Sequence, residues 1–129
     1  MWKAYCDGGS KDNQNKQEGY YSFKIYYDDK LYCHKYRLLG FGVTNNQAEY
    51  TAVVDALAEI GKIAPSRDFE KEVKIFSDSQ LVVNQMNGTF KVKDFKIKIL
   101  HEMLKKLMNY EKCEIIKVDR KIIFAELGH

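Results

Sequence analysis

The 129-residue chain is 45% hydrophobic and 30% charged, a composition that excludes an intrinsically disordered protein and suits a single domain over residues 1–129. Its formal net charge of +3 is too small to indicate a nucleic-acid-binding protein by itself. No run of about 18 apolar residues occurs, so no membrane partner is expected, and the three cysteines have no Cys-x-x-Cys spacing. We therefore expect a cytoplasmic monomer with reduced thiols.

The first third of the chain predicts three antiparallel strands. The apolar segment Trp2–Cys6 predicts a buried strand that stops at Asp7, where the two glycines Gly8-Gly9 would form a sharp turn. After a polar loop, residues 19–27 and 31–39 are rich in aromatic and aliphatic side chains and predict two more strands. Strands joined by such short connections form a meander, and the alternation in the second strand indicates that one face is covered.

A helix is predicted to follow this meander. The polar cluster 44–46 supplies N-cap side chains, and the helical pattern continues to about Ile63. Ala52 and Ala56 follow Glu49 at positions i+3 and i+7, which places Glu49 on the side of the helix that faces the sheet. The alternative is that Glu49 lies in the first turn and only complements the helix dipole.

The second half of the chain predicts a parallel strand and further helices. After a loop over 65–68, residues 73–76 form a short apolar strand that a right-handed crossover would place parallel to the first strand. Asp78 follows this strand, and the alternative role for it is to cap the next helix. The remaining predicted elements are a helix over 81–86, a helix from Asp94 to about Asn109, and a last parallel strand over 113–118. The second of these helices has a predicted apolar stripe of Phe95, Ile99, Leu100, Met103, Leu104 and Leu107.

Three acids converge if these elements are arranged as predicted. Asp7 and Asp78 follow strands whose ends would meet at one edge of the sheet, and Glu49 belongs to the helix beside it. Like charges that gather at one point repel one another, and divalent cations relieve that repulsion. A carboxylate site with two metal ions is well suited to the hydrolysis of phosphodiesters.

Three segments of the chain resemble the first three sequence blocks of type 1 ribonuclease H. They are Tyr5–Ser10, Thr44–Tyr50 and Ser77–Val83, and residues 81–98 resemble members that lack the basic protrusion. The resemblance extends over nearly the whole chain. It implies an α/β ribonuclease H-like fold with a five-stranded mixed sheet, three antiparallel strands followed by two parallel ones, flanked by helices.

The resemblance also implies a mechanism and a substrate. Asp7, Glu49 and Asp78 would hold two Mg²⁺ ions, or Mn²⁺, of which one activates water and the other stabilises the leaving oxygen of the RNA strand. The partner would be an RNA–DNA hybrid, whose shape and 2′-hydroxyls amide side chains can read. Helix capping is the alternative role for Asn45 and Asn46. The residues that the resemblance assigns to nucleic-acid contact are Gly8, Gly9, Ser10, Asn13, Asn45, Asn46, Gln47 and Gln80.

The end of the sequence departs from the family pattern. The family usually has a fourth acid, an aspartate within Ala-Asp-x-Leu at the start of a final helix. We favour Glu126 as its catalytic and metal-binding substitute; the alternatives are Asp119, or an alignment that puts Ala125 at the acid position. We expect the final helix to be nearly absent, since three residues follow Glu126. His129 is a candidate for the family's loop histidine, or a residue without a fixed place, which we favour.

The function predicted from the sequence is hydrolysis of the RNA strand of RNA–DNA hybrids. The alternative is a module of the same fold that binds hybrid or double-stranded RNA and cuts weakly or not at all. A third interpretation, a response-regulator-like or phosphatase-like fold, disagrees with the initial meander, because doubly wound folds alternate strand and helix from the start. The lysine-rich segment 91–112 could bind DNA phosphates or be a solvated helix face.

Overall fold

The computed structural model describes residues 1–63, 72–88, 91–109 and 112–129, which build a five-stranded mixed sheet with helices on its faces. The strands are β1 (Trp2–Asn13), β2 (Lys16–Tyr27), β3 (Lys30–Phe41), β4 (Glu72–Ser77) and β5 (Lys112–Lys117). The helices are α1 (Asn45–Ile63), α2 (Gln80–Met86), α3 (Phe95–Asn109) and α4 (Arg120–Leu127). The predicted loop over 65–68 lies outside the described residues.

The strand order β3-β2-β1-β4-β5 confirms the predicted α/β fold. Strands β1, β2 and β3 pair antiparallel, whereas β4 pairs parallel with both β1 and β5. The parallel pairing of β1 with β4 runs from Trp2↔Val73 to Cys6↔Ser77 and stops there. The next residue of each strand, Asp7 and Asp78, therefore lies at the same edge of the parallel region.

The predicted turn at Gly8-Gly9 is wrong, because β1 continues through both glycines to Asn13. The chain reverses instead at Gln14 and Asn15, whose φ angles of 53° and 64° suit a tight hairpin turn. A Cβ at Gly8 would lie 2.4 Å from the carbonyl carbon and oxygen of Ala48. The glycine is thus required by the close approach of α1 to the strand, and not by a turn.

The core lies between the sheet and α1. Ala4, Cys6, Phe23 and Ile25 point from β1 and β2 toward the helix, and all are buried. The helix covers them with apolar residues at helical spacing. These are Ala52, Val53, Ala56, Leu57 and Ile60, and each is at most 1% exposed.

Helix α3 packs on α1 with only part of the predicted stripe, since Leu100, Leu104 and Leu107 of that stripe face the core. Ile97 and Leu104 are buried, and Leu100 and Leu107 pack against the core. Phe95, Ile99 and Met103, which the sequence pattern assigned to the stripe, are exposed. The apolar residues of this helix occupy more than one face, so periodicity alone did not show which of them α1 would cover.

Helix α4 is present, contrary to the expectation that the final helix is nearly absent. Asp119 caps its first turn by accepting a hydrogen bond from the Lys121 N–H at 2.8 Å. Gly128 ends it in the left-handed conformation with φ of 82°. Ile123 and Leu127 anchor it, and it contacts β1 and β2. None of the described helices is long and apolar enough to span a membrane.

Candidate active site

Three carboxylates from three different elements meet where the pairing of β1 and β4 ends. Asp7 comes from β1, Glu49 from α1, and Asp78 from the residue after β4. One carboxylate oxygen of each lies within 4.8 Å of those of the other two. Asp7 is only 3% exposed and the Asp78 side chain 9%, so the cluster is largely shielded from water. The fold therefore brings these three acids together, as predicted.

Glu49 reaches the cluster because of how α1 begins. Thr44 and Gln47 form a reciprocal cap, in which the Gln47 N–H donates to Thr44 Oγ1 and the Thr44 N–H donates to Gln47 Oε1, both at 3.2 Å. The helix starts at Asn45, so Glu49 lies beyond the first turn. Complementing the helix dipole therefore does not explain Glu49, since that effect fades within the first turn.

Asp78 is not the cap of α2, which was the alternative role for it. The N-cap is Ser79, whose Oγ accepts a hydrogen bond from the Val82 N–H at 3.3 Å. The Ser79 N–H in turn donates to Ser77 Oγ at 3.0 Å. Two serines thus satisfy the backbone around the helix start, and the Asp78 carboxylate remains directed at the other acids.

The cluster raises the proton affinity of its buried members. Burial, followed by the charges of Asp7 and Asp78, raises the pKa of Glu49 to about 9. Burial and the charge of Asp78 also raise the pKa of Asp7, although His129 and Arg120 act in the opposite direction. Glu49 Oε2 is buried and has no hydrogen-bond partner among the described residues.

These residues fit a divalent cation. A buried carboxylate oxygen without a partner is costly, and a hard cation with oxygen ligands would satisfy it. The same cation would oppose the repulsion among the three acids and the rise in the pKa of Asp7 and Glu49. Asp7, Glu49 and Asp78 therefore form a set of oxygen donors that is suited to Mg²⁺ or Mn²⁺.

Two residues near the cluster were missed or misjudged from the sequence. Arg120 Nη1 lies 3.6 Å from Asp78 Oδ2. The parallel register Ser77↔Lys117 brings the ends of β4 and β5 together, so this register could have indicated Arg120. His129, which we expected to lack a fixed place, is held at Asp7, with 2.9 Å between its Nδ1 and Asp7 Oδ2. No linear pattern connects residue 129 with residue 7.

Glu126, which was predicted as the fourth acid, is not brought to the cluster. Its Oε2 accepts a hydrogen bond from Tyr26 Oη at 2.9 Å, and it lines a separate small pocket with Lys3, Tyr5 and Asp29. The reason is that α4 begins directly after Asp119, so Glu126 follows nearly two turns later and lies over β2.

The residues assigned to nucleic-acid contact divide into buried and exposed groups. Gly8 and Gly9 are buried against Ala48 and Tyr20, so the protein itself occupies the space beside them. Ser10 and Asn45 are joined, since Asn45 Oδ1 accepts hydrogen bonds from the Ser10 N–H at 2.7 Å and from its Oγ at 3.1 Å. The polar side chains of Asn13, Asn46 and Gln80 are exposed, whereas Gln47 is part of the helix cap.

The strand order and the acids at the end of the parallel pairing define a ribonuclease H-like fold. A family model described as RNase H matches residues 2–121. The chain therefore belongs to the RNase H family.

Solved structures of this fold cover nearly the whole chain. RNase H1 from the archaeon Halobacterium salinarum NRC-1 is 24% identical, with a TM-score of 0.80, over 98% of this chain and 92% of that one. LC11-RNase H1, isolated from compost by a metagenomic approach and solved with an RNA/DNA hybrid, is 23% identical, with a TM-score of 0.84, over 98% and 93%.

A curated relative matches a part of the chain. The uncharacterized protein YpeP of Bacillus subtilis (strain 168) is 36% identical over an alignment of 75 residues, which covers 53% of this chain and 32% of that protein. The match thus covers about a third of the length of that relative.

Proposed function

We propose that this protein is a single ribonuclease H domain over residues 1–129, which hydrolyses the RNA strand of RNA–DNA hybrids with divalent cations. The observation that carries the proposal is the buried Glu49 Oε2, which has no hydrogen-bond partner in the described part of the chain and lies in the cluster with Asp7 and Asp78. Such an arrangement is unfavourable for a purely structural role, because three acids in one shielded place destabilise the fold. Membership of the RNase H family and the hybrid-bound LC11 structure support the choice of substrate.

In this proposal the three acids divide the work of holding two cations. Bound Mg²⁺ or Mn²⁺ would supply Lewis-acid chemistry, by activating the attacking water and stabilising the leaving 3′ oxygen. Asp7 lies deepest, between the other two elements, and is assigned as the shared ligand. Glu49 is held by the capped start of α1, and Asp78 by the serine-capped start of α2, so neither carboxylate needs to reorganise.

The surface beside the acids is suited to a hybrid duplex. The Ser10–Asn45 pair and the exposed amides of Asn46 and Gln80 present both donors and acceptors. Groups of this kind can contact 2′-hydroxyls and backbone oxygens in a shallow minor groove without reading sequence. The protein is accordingly proposed to recognise the shape of the hybrid.

Exchanging Asp78 for asparagine is expected to lower the rate of hybrid cleavage at least about 100-fold, as the loss of one electrostatic group at a reaction centre commonly does. Asparagine keeps the size of the side chain and removes the charge. Initial rates on an end-labelled hybrid, with Mg²⁺ or Mn²⁺ and with EDTA, measure the effect. The melting temperature should change little, because the exchange removes both a like charge from the cluster and the ion pair with the solvent-exposed Arg120.

Glu126→Gln is the matched control for this experiment. Its rate should stay within about twofold of the wild-type rate, since a glutamine oxygen also accepts the hydrogen bond from Tyr26. Equal cleavage by the wild type and Asp78→Asn would contradict the enzymatic function. Hybrid binding by the wild type without any metal-dependent cleavage would instead select the binding module.

A further inference from the structure

The imidazole of His129 is fixed by residues from three strands. Its Nδ1 lies 2.9 Å from Asp7 Oδ2, and its Nε2 lies 2.6 Å from Ser22 Oγ. Tyr20 and Tyr36 contact the ring edge to face, with centroid distances of 5.4 and 5.9 Å. The His129 side chain is 28% exposed. A surface histidine that only fills space has no need of hydrogen bonds to both ring nitrogens.

The position of the ring follows from the fold. Asp7 and Ser22 are directly paired across β1 and β2, so their side chains stand next to each other on one face of the sheet. Gly128 ends α4 in the left-handed conformation and turns the chain toward that face. The buried Leu127 anchors the turn. The ring of His129 thereby spans the Asp7–Ser22 pair.

The Nδ1 atom of His129 and the Oδ2 atom of Asp7 are as far apart as neighbouring ligands of one cation. Ligands about 2.1 Å from an ion and at right angles to each other lie about 3.0 Å apart. The distance between His129 Nδ1 and Asp7 Oδ2 is 2.9 Å. A cation would replace the hydrogen that these atoms otherwise share.

The other ring nitrogen has the partner that a metal-binding histidine needs. Such a histidine commonly donates its second N–H to an oxygen, which fixes the tautomer and the ring orientation. Ser22 Oγ can accept this hydrogen bond from Nε2, and Ser22 is fully buried. Nδ1 then directs its lone pair at the space beside Asp7.

We propose that His129 is a nitrogen ligand that holds a second divalent cation together with Asp7. This inference rests on the proposed cation site at the three acids, of which Asp7 would be the shared member. His129 is close to Asp7 but does not belong to the group of acids whose ligand atoms all lie within 4.8 Å of one another, so it would hold a cation on the outer side of Asp7. Because Mg²⁺ is a hard cation that retains oxygen ligands and water, we expect a position with an imidazole ligand to bind Mn²⁺ more tightly than Mg²⁺.

Calorimetric titration with Mn²⁺ alone, without nucleic acid, tests the proposal. Wild-type protein should bind two ions. His129→Ala should bind one of them at least about tenfold more weakly, as the loss of a supporting group at a metal site commonly does. Titration with Mg²⁺ should change less. His129→Phe keeps an aromatic ring against Tyr20 and Tyr36 and has no ligand atom, so it should behave like His129→Ala.

The other two histidines, His34 and His101, serve as internal controls for an NMR measurement of metal binding. Zn²⁺ as a diamagnetic probe should shift the ¹⁵N resonance of Nδ1 in His129 and leave His34 and His101 unchanged, because neither of those rings lies at the acids. Mn²⁺ affinity and stoichiometry in His129→Ala equal to those of the wild type would overturn the proposal. So would wild-type affinity in His129→Phe, since that side chain has no ligand atom.

The two proposals fail in different ways. If the wild type cleaves hybrids and His129→Ala keeps both Mn²⁺ ions, the proposed function stands and the role of His129 is lost. If the wild type does not cleave hybrids, but His129→Ala binds one Mn²⁺ ion fewer than the wild type, the ligand role of His129 stands and the proposed function is lost.

Discussion

Glu49→Gln is expected to stop hybrid cleavage and, at the same time, to make the metal-free protein more stable. The loss of activity should reach about 1,000-fold, which corresponds to about 4 kcal/mol of transition-state stabilisation. Glutamine keeps the length of the side chain and loses the negative charge that the proposed cation needs. Rates on a labelled hybrid with Mg²⁺ measure this effect.

The gain in stability follows from the pKa of Glu49, which is about 9 in the folded protein against an ordinary value of 4.5. Between these two pH values the folded state binds more protons than the unfolded state, so stability falls as the pH rises. The exchange to glutamine removes that contribution. In EDTA the melting temperatures should be similar near pH 5, and the variant should melt about 3–10 °C higher at pH 8.

Glu59→Gln is the control on the same helix. Glu59 lies 3.8 Å from Lys35 Nζ and 3.4 Å from Lys62 Nζ, away from the acids. Its exchange should leave the cleavage rate unchanged and should not raise the melting temperature, because it removes two favourable charge contacts. A melting temperature of Glu49→Gln at pH 8 in EDTA that is no higher than the wild-type value would contradict the repulsion at the cluster.

Gly8→Ala is expected to destabilise the protein by about 3 kcal/mol or more, at the upper end of what overpacking costs. The added methyl group would lie 2.4 Å from the Ala48 carbonyl and 2.6 Å from the Glu49 nitrogen. These are backbone atoms, so the whole start of α1 must move away from β1. Urea denaturation monitored by circular dichroism measures the loss.

Gly9→Ala is the control that shows whether the loss of stability in Gly8→Ala comes from the contact between β1 and α1. A Cβ at Gly9 would lie 3.0 Å from Tyr20 Oη, which is the end of a side chain that can rotate. Its cost should stay below about 1.5 kcal/mol. If both variants are equally stable, the close approach of α1 does not explain Gly8. Folded Gly8→Ala should also cleave more slowly, because Glu49 moves with the helix.

Local patterns were sufficient for the order of the elements and for three of the acids. The meander, the crossover through α1 and the positions of Asp7, Glu49 and Asp78 each depend on a few neighbouring residues and on the rule that parallel strand ends meet at one edge. The strand order confirmed this. The resemblance of three short segments to type 1 ribonuclease H was carried by the same residues, and it agrees with the family match.

Why a particular residue stands at its position could often be explained only from the tertiary structure. Gly8-Gly9 has the sequence of a turn, yet it serves the contact between β1 and α1, which involves residues 40 positions apart. Phe95, Ile99 and Met103 fit a helical stripe, but only the position of α1 decides which face of α3 is covered. Propensity and spacing describe one element at a time and contain no information about its neighbour.

The end of the chain shows most clearly what the sequence determines and what only the tertiary structure decides. The sequence by itself placed Asp7 at the start of an acidic cluster and showed that residues 125–128 depart from the family's usual Ala-Asp-x-Leu pattern. Only the tertiary structure decided that Glu126 lies with Tyr26 and that His129 lies with Asp7. The physical reason is that one residue's shift in where α4 begins turns each later side chain by about 100°, and no local pattern fixes that start against a distant strand.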